Sequence, residues 1–189
     1  MRFGHDLAVA LESGVWLANS ALEPDVLVTL DDVDEFFDRF EYTGARPTER
    51  DVEAVRAIRS TLREVFLAGR DRAVPLVNEI LEKAHAVPRL VRHGDTDWHI
   101  HATDDNGPFA TRILVETAIG IIDMVRADEM SRFGVCAMDD CEGVVLDLSR
   151  NRSRIYCSVA CTNRAAAAAY RARQAEAGDS GVTEESAAT

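Results

Sequence analysis

The chain has no cysteine before Cys136 and no C-x-x-C anywhere, which argues against a redox dithiol. It has no apolar run approaching the roughly 20 residues that cross a membrane. Its opening residues, Met1-Arg2-Phe3-Gly4-His5-Asp6, contain no apolar leader region. A soluble, cytoplasmic protein with no membrane partner is therefore expected. Aromatic residues make up only 6% of the chain against 47% apolar residues, so the core should be aliphatic and largely helical. No internal repeat is visible. Also missing are a nucleophile motif, a glycine-rich phosphate loop and an H-E-x-x-H pair, so no enzyme is expected.

A net charge of −12 over 189 residues argues at first against a nucleic-acid partner. Its distribution reverses that reading. Residues 131–175 hold seven arginines and four acids, a net of +3, while residues 1–130 carry −11 and residues 176–189 carry −4. An acidic body is joined to a basic end that holds every cysteine. The acidic surface by itself implies no more than solubility.

Helical periodicity places a first helix over 6–20, with Leu7, Leu11, Val15 and Leu17 in register. Glu23-Pro24-Asp25 marks a turn before an extended stretch, and Asp31 or Asp32 is positioned to cap a helix through Phe40. The clearest helix starts after Thr48, a suitable N-cap. Its apolar residues Val52, Val55, Ile58, Leu62, Val65 and Phe66 form one face over about five turns, closed by Gly69. A further helix spans 72–86. Over 87–103 the period changes to two, with Trp98, Ile100 and Ala102 alternating with His99, His101 and Thr103, and a Gly94-Asp95 turn before them. That pattern predicts a β-hairpin. His99 and His101 share one strand face, which suits a metal or a pH sensor, although such residues are more often simply exposed. A long apolar helix follows from Phe109 to Val125. From residue 176 the composition predicts a disordered tail.

Cys136, Cys141, Cys157 and Cys161 are spaced C-x4-C-x15-C-x3-C. Two short chelate loops brought together supply the tetrahedral thiolate set that zinc prefers. Residues 143–148 read as a strand, 149–153 as a polar turn and 154–156 as the returning strand, which brings Cys157 back beside Cys141. A helix starting near Cys157 would put Cys161 on the same face and favour thiolates at its N-terminus. A knuckle, a hairpin and a ligand-bearing helix make a treble-clef arrangement. Buried free cysteines or two disulfides are the alternatives, and thiolates alone do not distinguish zinc from an iron–sulfur cluster. Four cysteine ligands leave no open position for catalysis.

Cys157-Ser158 followed by Cys161-Thr162-Asn163-Arg164 resembles the CGNR zinc finger. The stretch Asp147 to Tyr156 resembles that family's basic hairpin, and Tyr170-Arg171-Ala172-Arg173 its arginine-bearing helix end. The resemblance covers residues 131–173. One departure is Thr162, where the family has glycine; a positive φ there would strain a threonine. Upstream, Trp16-Leu17-Ala18-Asn19-Ser20, Val55 to Arg63 and Leu76-Val77-Asn78 resemble the ABATE domain, over residues 5–128. The family is regarded as one of stress-induced transcription regulators.

The resemblance implies three parts: an ABATE-like, mostly helical domain over 1–130, a CGNR-type finger over 131–175 and a tail over 176–189. The fold class is α+β, with one hairpin in the body and a treble-clef-like finger. The metal is Zn2+, held by Cys136, Cys141, Cys157 and Cys161. DNA is the expected partner, met by Arg150, Arg152, Arg154, Asn163, Arg164, Arg171 and Arg173. On a strand, Arg150, Arg152 and Arg154 share a face, and Arg164 and Arg171 share a helix face. Together they would offer a cationic surface to phosphates. The body would sense a small-molecule effector or mediate assembly, a homodimer among the options, since a single finger binds DNA weakly. The competing class is a protein-interaction module in which zinc only holds the C-terminal end together. Asn19 reads as a buried polar anchor or a ligand contact.

Overall fold

The computed structural model describes residues 4–92 and 98–180, with side chains as far as residue 175. Its elements in order are α1 (His5–Asn19), α2 (Leu30–Arg39), α3 (Glu49–Ala57), α4 (Arg59–Leu67), α5 (Arg70–Lys83), β1 (Arg89–Val91), β2 (His99–His101), α6 (Phe109–Arg126), a 3-10 turn (Met130–Arg132), β3 (Phe133–Val135), β4 (Val144–Leu146) and α7 (Val159–Ser180). The fold is α+β: a mostly helical body and two small antiparallel hairpins, β1–β2 and β3–β4.

Helix α6 is the spine of the body. Its apolar run buries Phe109, Ile113, Ala118, Ile121 and Met124, with α1 and α5 packed along it. The approach of α1 depends on Gly120, where an added Cβ would meet Leu11 Cδ2 at 2.8 Å. Four of the scarce aromatic residues cluster in this core. Phe36, Phe37, Tyr42 and Phe109 touch one another there, and Tyr42 and Phe109 meet edge to face at 5.0 Å.

Three buried arginines brace the connections. Arg59 donates to both oxygens of Asp25 and to the carbonyl of Leu27. Arg112 donates to the carbonyls of Thr43 and Ala45. Arg132 donates to the carbonyls of Asp147 and Ser149 and to Glu129. Each uses a multi-donor fork to satisfy loop carbonyls that a packed core would otherwise leave bare.

The structure departs from the expected elements at identifiable places. The long helix after Thr48 is two, α3 and α4, interrupted at Ile58. The next residue is Arg59, whose guanidinium turns inward to Asp25. The cap of α2 is Thr29 rather than Asp31 or Asp32; Thr29 and Asp32 form a reciprocal capping box. The hairpin over 87–103 is present, pairing Arg89 with His101 and Val91 with His99. Apart from the buried Ala102, its faces do not follow residue type. Leu90, Trp98 and Ile100 are exposed, while His99 and His101 are half-buried with their Nε2 atoms 3.1 Å apart. The Gly94-Asp95 turn lies outside the described residues. Helix α7 runs to Ser180, five residues into the stretch read as tail; the rest of that stretch also lies outside them.

Candidate metal centre

Strands β3 and β4 carry the centre. In their antiparallel register Val135 faces Val144, so Cys136 follows β3 and Gly143 precedes β4, joined by a Cys136 N–H to Gly143 carbonyl bond of 2.8 Å. The knuckle with Cys141 is the connection between these strands. Residues 154–156 are not the returning strand that the sequence suggests. They run as irregular chain tied down by one Ala137 N–H to Ile155 carbonyl bond. The hairpin of the finger therefore lies earlier in the chain, and Asp147 explains why. Its buried carboxylate accepts from the Ser149 N–H at 2.8 Å and the Arg154 N–H at 2.7 Å, closing 147–154 into a compact loop instead of a ladder. Burial pushes the Asp147 carboxyl up, but these hydrogen bonds outweigh it and hold it below the usual range.

The second pair of cysteines sits at the start of α7. Ser158 is the N-cap, its Oγ accepting from the Cys161 N–H at 3.2 Å. Cys157 thus lies just before the helix and Cys161 in its first turn. Thr162 is helical, without positive φ, and its hydroxyl donates to the Ser158 carbonyl at 3.0 Å. The substitution for glycine is therefore unstrained.

All four Sγ atoms lie within 4.8 Å of one another, and the Cys141–Cys157, Cys157–Cys161 and Cys161–Cys141 pairs are 3.6, 3.7 and 3.7 Å apart. A tetrahedron with Zn–S bonds of about 2.3 Å has edges of about 3.8 Å. A disulfide needs about 2.05 Å, so the separations fit a shared metal and exclude a bond. Backbone N–H groups point at the sulfurs, Gly143 to Cys141 at 3.4 Å and Cys157 to Cys136 at 3.5 Å. Burial raises the Cys136 thiol, but donors from Cys157 and Met138 outweigh it and bring the thiol down to about 7. Burial pushes the Cys141 and Cys157 thiols up instead. Gly143 is a residue that sequence reasoning missed as part of the centre. A Cβ there would meet Cys157 Sγ at 2.6 Å and Cys157 Cβ at 2.9 Å. Its position two residues after Cys141 was the available signal.

The centre is continuous with the body. On β4, Val144 and Leu146 face the body core, while Val145 packs with Cys136 and Cys161 on the other side. Phe133 of β3 stacks on Phe66 of α4 at 5.0 Å. Asn19, at the end of α1, donates to the Val144 carbonyl at 2.8 Å and accepts from the Val144 N–H at 2.7 Å. It is a structural anchor.

The seven residues read as nucleic-acid contacts are all exposed, but they are not equivalent. Arg152, with φ +49, folds back to Glu129 and to Ser131. Arg154 donates to the carbonyls of Tyr156 and Cys157. Arg164 pairs with Asp140. The shared strand face of Arg150, Arg152 and Arg154 does not exist, because no strand forms there. The side chains of Arg150, Asn163, Arg171 and Arg173 make no hydrogen bond or ion pair among the described residues. From 162 to 175 every residue of α7 is exposed except the half-buried Ala165, so the helix stands clear of the body.

Among the described residues no helix is long and apolar enough to cross a membrane. No curated protein matches the chain. Residues 132–174 match the CGNR zinc finger. Residues 10–128 match the ABATE domain, described as "Putative stress-induced transcription regulator". With both matches in the order that the elements and the thiolate cluster require, the chain belongs to the ABATE family and ends in a CGNR zinc finger whose metal is Zn2+.

Proposed function

We propose that the protein is a non-enzymatic, cytoplasmic DNA-binding transcription regulator in which Cys136, Cys141, Cys157 and Cys161 hold zinc. The observation that carries this reading is α7, an exposed helix fixed at its N-terminus by the thiolate cluster and bearing Arg171 and Arg173 without partners among the described residues. A helix that stands clear of its own domain is free to lie against a duplex. Arginine is the side chain best suited to take a phosphate at two points. Arg150 extends the same cationic end, and Arg164 joins it when phosphate replaces Asp140. Arg152 and Arg154 serve first to shape the loop. The body carries −11 and would be repelled by DNA, which orients the molecule finger-first. A homodimer would present two such helices.

The test is affinity for duplex DNA of the full-length, zinc-loaded chain and of Arg171→Ala and Arg173→Ala. Each substitution should weaken binding by a similar factor on unrelated sequences, because phosphate contacts carry no sequence information. Zinc content should not change. Unaltered binding in both variants would transfer the role to an interaction module that zinc merely holds together.

A further inference from the structure

The body contains a cavity of about 600 Å³ that the zinc centre does not use. It lies between the first half of α1, the turn at 40–43, strand β2 and the second half of α6. Its size falls within the range of small-molecule sites. Leu7, Val9 and Ile119 give it apolar walls, and Phe40, Tyr42 and Trp98 give it aromatic ones. Asp6, Glu41, Glu116 and Asp123 contribute carboxylates and His5, His99 and His101 imidazoles; among the described residues no lysine or arginine lines it.

Glu116 decides what such a space can hold. It stands on α6 facing the cavity, and no described residue donates to its carboxylate. Arg112, the cation that acts on it, spends its N–H groups on the carbonyls of Thr43 and Ala45. Burial accordingly drives the Glu116 carboxyl up to about 7. On the opposite wall, Asp105 Oδ1 accepts from His101 Nδ1 at 2.8 Å, which directs the His101 Nε2 edge to His99. An anionic ligand would meet four carboxylates and, among the described residues, no lysine or arginine. A neutral ligand would leave Glu116 uncompensated. An ammonium on an apolar body satisfies both halves of the lining, with the charge on Glu116 and the body against the apolar and aromatic side chains.

We propose that this cavity is a binding site for a small organic cation, a primary amine carried on an aromatic or aliphatic body, with Glu116 as its counter-ion. The site gives the effector of the regulator reading a chemical class, and it rests on that reading only for its effect on DNA. Binding itself stands apart: a chain that takes the amine but not DNA keeps this site and loses the regulator, and the converse holds equally.

The experiment is calorimetric titration of the full-length, zinc-loaded protein with phenethylamine and hexylamine, and with phenylacetate and hexanoate as matched anions. The amines should bind and the anions should not. Glu116→Gln should weaken amine binding at least tenfold while the far-UV spectrum and zinc content stay as in the parent. Ala10→Phe, which fills the space without altering charge, should abolish binding by a second route. No heat with either amine, or equal affinity in parent and Glu116→Gln, would overturn the proposal. So would Ni2+ binding that excludes the amines and is lost in His99→Ala, which would make the cavity a metal site.

Discussion

One carboxamide is a polar tie between the two parts of this molecule, beside the apolar contacts of Phe133, Val144 and Leu146 with the body. In the β3–β4 ladder the hydrogen-bonded pairs flank Val144, so its own N–H and carbonyl point away from β3, at a position where the side chain is fully buried. Asn19 takes the place of a third strand there. Replacing Asn19 by Ala leaves both groups unsatisfied, at about 1–3 kcal/mol each. The expected loss is on the order of 2–4 kcal/mol in urea unfolding, with faster amide exchange at Val144 and Val145. An unchanged midpoint would show that water replaces the carboxamide. Gly143 acts at closer range. Gly143→Ala should lower zinc affinity by at least tenfold, measured by chelator competition, because its Cβ would enter the space of Cys157 Sγ. Glu116 sets a pH dependence. An unfolded glutamate titrates near 4.5 and the folded Glu116 near 7, so the folded state holds an extra proton between those values. Stability from this group is therefore full below about pH 4.5 and is lost as pH rises through 7. Arg112 and Asp105 act on it, and His5, Asp6, Glu41, Tyr42, His99, His101 and Asp123 line the same cavity. Between pH 5 and 8 the parent should lose on the order of 2–3 kcal/mol relative to Glu116→Gln, at about 1.4 kcal/mol for each pH unit. A parallel pair of stability curves would contradict this.

Secondary-structure elements show where the sequence is readable and where it is not. Periodicity located α1 and α5, a capping signal α2 and a long apolar run α6. It joined α3 and α4, because the apolar register continues through Ile58 while the break is set by a tertiary partner, Asp25, more than thirty residues away. The four thiolates were legible from spacing alone. The strand over 154–156 was not, because Asp147 spends its carboxylate on the backbone of Ser149 and Arg154, a use that alternation does not reveal. Asn19 was legible only as a polar residue in an apolar context; its partner lies 125 residues on. Helix α7 depends on the metal more than any other element. It packs on little beyond its first turn, and an isolated helix of this length is marginal in water. Chelation removes a term of about 10–16 kcal/mol in small zinc modules. Far-UV signal should fall by no more than the share of α7, because β3 and β4 remain held by Phe66 and Asn19. Loss of the whole helical spectrum on chelation would mean that the body also requires zinc.

At the scale of the whole molecule, charge is separated along the chain. The body is acidic, closely packed and carries the cavity; the far end is basic, metal-organised and carries the projecting helix. Helix α1 reaches both, lining the cavity with Leu7, Val9 and Ala10 and holding β4 through Asn19. The central claim is that Arg150, Arg171 and Arg173 of the far end meet nucleic-acid phosphates. The measurement closest to that claim is the salt dependence of duplex binding by the zinc-loaded chain and by the triple variant Arg150→Ala, Arg171→Ala, Arg173→Ala. Each phosphate contact contributes a slope of about −0.9 in log affinity against log salt. The account predicts that the triple variant loses roughly three contacts' worth of slope, equally on all sequences and at unchanged zinc content. A parent and variant with the same slope, or a parent that does not bind duplex DNA at low salt, would contradict it.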